Sequence, residues 1–76
     1  MSLIELMESA VGHNARMVDR YGKLWDGYVS GFNTDLDNEE DDVPGYFSID
    51  LDVEINGKVT HYEIREDEIK SIEVIS

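Results

Sequence analysis

Residues 46–64, "YFSIDLDVEINGKVTHYEI", decide the fold. Phe47, Ile49, Leu51, Val53 and Ile55 alternate with Tyr46, Ser48, Asp50, Asp52 and Glu54. A period of two over this length predicts a long strand with one buried and one solvated face. Asn56-Gly57 follows. Both residues tolerate the positive φ of a type I′ turn, so a hairpin is predicted here. The return strand runs from Lys58 to about Arg65, with Tyr62 and Ile64 on one face. The stretch "REDE" breaks it, and "IKSIEVI" then supplies a short last strand carrying Ile69, Ile72 and Val74.

Upstream, "NARMVDRYGKLWDGYVSGFN" is interrupted by Gly22, Gly27 and Gly31. Glycine at this frequency is poor helix material and suits a strand that bends or is closely approached. Tyr21-Gly22 marks a tight turn before the strand. Alternation places Trp25, Gly27, Val29 and Gly31 on one face and Leu24, Tyr28 and Phe32 on the other. The N-terminal "SLIELMESAVG" has helical spacing at Leu3, Leu6, Met7 and Ala10, widened by Ile4 and Val11. Ser2 with Glu5 three residues on fits a capping box, and Gly12 suits the stop. This helix is expected to cover the open end of a small sheet.

The prediction is therefore mainly β and a single domain over residues 1–76. A helix over 1–12 precedes a five-stranded, strongly bent antiparallel barrel over 13–76, with an acidic loop at 33–45. A flat sheet of this size would leave an apolar face and two edges exposed.

A chain of 76 residues buries a modest fraction of its surface. With no cysteine for a disulfide, oligomerisation is the expected stabiliser. Acids outnumber bases 18 to 6, a formal charge of −12. Such a domain repels polyanions on average. Neither a bilayer-spanning stretch nor a signal peptide is visible, which predicts a soluble, cytoplasmic protein with no membrane contact.

The pattern resembles the Sm-like (LSm) family, with its N-terminal helix and small, SH3-like five-stranded barrel. In "YGKLWDGYVSGFNTDLDN", Gly22 matches the family's turn glycine, Gly27 its strand glycine, and Val29 and Phe32 its apolar positions. Asn33 stands where the family prefers aspartate, and Asp37 where it prefers asparagine, with Asn38 adjacent. In "YEIREDEIKSIEVI", Ile64, Arg65, Ile69 and Ile72 match the second motif, and Glu66 stands at its glycine. Asp19 takes a first-strand position usually filled by an apolar group.

The resemblance implies a closed homo-oligomeric ring, the last strand of one subunit pairing with a middle strand of the next. It also implies single-stranded RNA binding at the inner rim. By resemblance, Asp35 takes the base-contacting position, Asp37 or Asn38 the asparagine position, and Arg65 the arginine position. An aspartate donates no hydrogen bond at neutral pH, and carboxylates repeated around a ring would repel phosphates. The alternative is an acidic small-barrel adaptor or inhibitor that binds a basic protein surface without RNA.

The run "DLDNEEDD" at 35–42 offers hard oxygen ligands at Asp35, Asp37, Glu39 and Asp41. A calcium-binding EF-hand loop needs glycine at its sixth position and glutamate at its twelfth. Glu40 and Tyr46 stand there, so the motif fails; the run reads as a solvated loop, with weak divalent-cation binding and an acidic partner-binding or nucleic-acid-mimicking surface as the alternatives. No metal or cofactor is expected. The chain has no phosphate loop, cysteine nucleophile or serine–histidine–acid order. His61 reads as a surface or interface residue, and His13 follows a helix end, where a cation is mildly favoured. No enzyme is predicted.

Overall fold

A computed structural model describes residues 2–35 and 45–76. Among the described residues the chain is mainly β, with one short N-terminal α-helix and a five-stranded antiparallel sheet. Helix α1 spans Leu3–Ser9 and is followed by β1 (Asn14–Asp19), β2 (Leu24–Asn33), β3 (Ser48–Ile55), β4 (Lys58–Arg65) and β5 (Ile69–Val74). The strand order is β4-β3-β2-β1-β5, so β4 and β5 are the edges of the described sheet. Among the described residues no helix is long and apolar enough to cross a membrane.

The predicted capping box is present. Ser2 Oγ accepts from the Glu5 amide at 3.2 Å, and Glu5 Oε1 accepts from the Ser2 amide at 3.5 Å. The regular helix stops at Ser9, short of the predicted residue 12. Ala10 caps it, and Gly12 leaves it with φ +83°. The Gly12 amide then bonds to the Val29 carbonyl at 2.8 Å and ties the exit to β2. Met7 and Ala10 are fully buried in the core, and Leu3 and Leu6 pack against it.

The Asn56-Gly57 turn forms as read, with φ of 54° and 80°. It sets the β3–β4 register, pairing Ile55 with Lys58, Asp52 with His61, Asp50 with Glu63 and Ser48 with Arg65. Pairing of β2 with β3 extends only from Asn33↔Ser48 to Tyr28↔Asp52. The hairpin therefore overhangs the sheet at its tip. For that reason Ile55, predicted to be buried, is 54% exposed, and Val59 is exposed beside it.

Two irregularities change which side chains face the core. Register shifts between Val29 and Gly31, so Val29 pairs with Leu51 while Phe32 pairs with Ile49. Simple alternation placed Phe32 opposite Val29. The bulge turns Phe32 to the core side, where it stacks on Phe47 at 5.9 Å, and turns Gly31 outward toward Asp50. A second shift, between Val18 and Asp19, lets Ile69 and Ile72 both bury although they lie three residues apart.

The core joins Met7, Ala15, Met17, Val29, Ile49, Leu51, Ile64, Ile69 and Ile72. Each fully buried large side chain contributes about 1.5–3 kcal/mol of transfer free energy. Trp25 and Tyr62 close one side in an edge-to-face contact at 5.0 Å.

Asp19 also points to this buried side. Its Oδ1 accepts from the Tyr21 and Lys23 amides, both at 2.9 Å, and its Oδ2 accepts from Trp25 Nε1 at 3.1 Å. An apolar residue would leave those donors unmet, so the carboxylate serves as the acceptor of the β1–β2 turn. The indole hydrogen bond, with the two amides and Lys23, holds its pKa below the ordinary value against the opposing effect of burial.

Candidate functional site

The sheet face opposite the core carries the polar chemistry. Pairing across β1 to β4 places Arg16 opposite Asp26, Tyr28 opposite Asp52, Asp52 opposite His61, Asp50 opposite Glu63 and Glu54 opposite Val59. Five carboxylates of β2, β3 and β4, Asp26, Asp50, Asp52, Glu54 and Glu63, thus share one face with Arg16, His61 and Arg65, and Glu73 of β5 joins them opposite Arg16.

Glu63, Asp50, His61 and Asp52 are linked through Tyr46, Ser48 and Asn33, whereas Arg16 and Asp26 pair separately. Tyr46 Oη donates to Glu63 Oε1 at 3.3 Å, and Ser48 Oγ donates to Glu63 Oε2 at 3.2 Å. Asn33 Nδ2 donates to Ser48 Oγ at 3.2 Å and to Asp50 Oδ1 at 3.3 Å. His61 lies between two acids, with Nδ1 2.8 Å from Asp52 Oδ1 and Nε2 3.5 Å from Asp50 Oδ1. The hydrogen bond to Asp52 raises the His61 pKa above its ordinary value, aided by the charges of Asp50 and Asp52 and opposed by burial. The imidazolium therefore offsets part of the negative charge of β3 as pH falls.

The predicted site residues divide between what the structure describes and what it does not. Asn33, Ser48 and Arg65 form one row across β2, β3 and β4. Asp35 follows β2 at the same end, and its carbonyl occupies the space that a Cβ on Gly45 would need. Asp35 and Arg65 are thus brought to one end of the sheet. Asp37 and Asn38, and most of the acidic run, lie outside the described residues.

Arg65 stands over the Tyr46 ring at 4.2 Å, and its Nε lies 3.4 Å from Asp67 Oδ1. Its neighbours in the following 3₁₀ turn, Glu66, Asp67 and Glu68, are all acidic. Comparison with protein-family models, with curated proteins and with solved structures gives no match.

Sequence reasoning named Asp35, Asp37, Asn38 and Arg65 and read His61 as a surface or interface residue, but it passed over Asn33 as a ligand-face residue, together with Ser48, Glu63 and the bracketing of His61 by acids. The last three were within reach. Counting outward from a two-residue Asn-Gly turn pairs Asp52 with His61 and Asp50 with Glu63 without other information. Asn33 has no such signal, because its place depends on the bulge in β2.

Proposed function

We propose that this chain is an Sm-like β module that acts as an acidic adaptor, binding a basic protein surface rather than performing catalysis. One observation carries the reading: five carboxylates are aligned on the face of the sheet that the core does not use. Alignment on a rigid strand array fixes the spacing of these charges before a partner arrives. Such a surface attracts cationic partners and repels phosphates, in a salt-dependent way. The net charge of −12 acts in the same direction over a longer range.

The helix followed by sequential antiparallel strands agrees with the Sm-like resemblance. Bending toward a barrel is supported by the bulge in β2 and by the close approach of Gly27 to the Asp52 carbonyl, 2.6 Å from where a Cβ would stand. The test is a pull-down or titration with a basic probe at two salt concentrations. Binding lost at high salt supports the reading, and indifference to the probe contradicts it.

A second reading keeps the ring and the RNA. It is favoured by the meeting of Asp35, Asn33 and Arg65 at one end of the sheet, and by β4 and β5 standing at its two edges. Pairing β5 of one copy with a strand edge of the next would satisfy both edges. Light scattering at micromolar concentration tests assembly, and a monomer mass removes the ring. An oligo-U or oligo-A shift at low salt that disappears with Arg65→Ala would favour RNA over the adaptor.

A further inference from the structure

The core-free face holds a groove of about 580 Å³ between the overhanging hairpin tip and the chain beyond β5. Its apolar surface comes from Tyr28, Val59 and Ile75, which are 43%, 61% and 46% exposed. Asp26, Asp52 and Glu54 line it as well. These apolar groups lie together where the described residues place no covering layer over the sheet.

We propose that this groove seats a basic segment of another protein that carries apolar side chains among its cationic ones. The inference rests on the adaptor reading and adds the place and the pattern recognised. Charge complementarity selects the occupant. A second copy of a chain carrying −12 would bring like charge to Asp26, Asp52 and Glu54, whereas lysine or arginine meets them with opposite charge.

Glu54 stands opposite Val59 and Asp52 opposite Tyr28, so acid and apolar group are neighbours across adjacent strands. Apolar groups of the segment cover Val59 and Ile75, and its cations reach Glu54, since Asp26 already meets Arg16 at 3.0 Å. The Tyr28 ring offers a face to a cation as well as apolar area. Pockets of a few hundred Å³ have room for two or three such side chains.

The experiment titrates the full chain with a capped lysine–leucine–lysine–valine–lysine peptide and with its counterpart bearing serine at both apolar positions. Calorimetry gives affinity, and amide chemical shifts locate the site. The apolar-bearing peptide is expected to bind more tightly, with shifts at Tyr28, Val59 and Ile75. Val59→Ser should weaken that peptide by about fivefold to tenfold and leave the serine peptide unchanged. Glu54→Gln should weaken both.

Val59 lies on the exposed hairpin tip, so its substitution does not endanger the core; Tyr28→Ser is the second variant. If both peptides bind alike, respond to salt and ignore Val59→Ser and Tyr28→Ser, the groove assignment is overturned while the adaptor reading stands. If neither binds at millimolar concentration, both are overturned. If the two variants lower the oligomeric mass of the protein but not its peptide affinity, the groove is an interface between copies and the proposal fails.

Discussion

His61 Nδ1 lies 2.8 Å from Asp52 Oδ1, directly across the β3–β4 pairing. The imidazole therefore titrates inside an acidic row, and its pKa is raised above the ordinary 6.5. A raised folded-state pKa means that the native protein holds the proton more tightly than the unfolded chain. The resulting stabilisation is fully present below about pH 6.5, the unfolded value, and disappears as pH rises through the folded value. NMR titration should place His61 above 6.5, and Asp52→Asn should bring it down. A His61 titration at or below the ordinary value would contradict the pairing.

Asp19 predicts the opposite dependence. Its pKa is held below the ordinary 3.8, first by the Trp25 indole. A depressed folded-state value gives stabilisation that is present above the unfolded pKa and lost as pH falls through the folded one. Asp19→Ala should lower the thermal midpoint more than Asp26→Ala, whose carboxylate meets the exposed Arg16 at 3.0 Å. The Trp25 fluorescence spectrum should change with Asp19→Ala and not with Asp26→Ala.

Much of this arrangement was legible in the chain. Ser2 and Glu5 announce the helix start, Gly12 and Gly22 the points where φ turns positive, and Asn56-Gly57 the hairpin with its register. These are local signals, settled within a few residues. The destination of Phe32 was not legible, because a bulge arises from how two strands fit and not from either strand alone. The role of Asp19 was hidden similarly. Its donors include an indole six residues away, so the residue looks like a misplaced charge until the turn is closed. The acid-aligned face required only the hairpin register, yet its meaning as a surface required the sheet to show which side the core leaves open.

Glycine substitutions separate close backbone approach from open space. A Cβ at Gly27 would stand 2.6 Å from the Asp52 carbonyl and 3.1 Å from Leu51 Cγ. The Asp52 carbonyl cannot yield without moving β3, so Gly27→Ala should cost about 1–3 kcal/mol in denaturant unfolding. At Gly31 the nearest group is the far end of the Asp50 side chain, at 2.8 Å. That carboxylate can swing aside, so Gly31→Ala should cost clearly less than Gly27→Ala.

The bulge can be tested through the two faces of β2. Phe32 packs on the core side, against Phe47, whereas Leu24 is 54% exposed. Phe32→Ala should destabilise by about 2–3 kcal/mol and Leu24→Ala by less than about 1 kcal/mol. Ile49→Ala, at a fully buried position, sets the upper reference at about 2–5 kcal/mol. Equal small effects at Phe32 and Leu24 would place Phe32 outside the core and remove the bulge.

The adaptor reading is tested most directly by titrating the protein with a capped lysine–serine–lysine–serine–lysine peptide and, in parallel, with oligo-U, at low and at high salt. The account predicts that the peptide binds at low salt, that its affinity falls by about tenfold or more at high salt, and that oligo-U stays unbound. Oligo-U binding that is abolished by Arg65→Ala, with no response to the peptide, would contradict it.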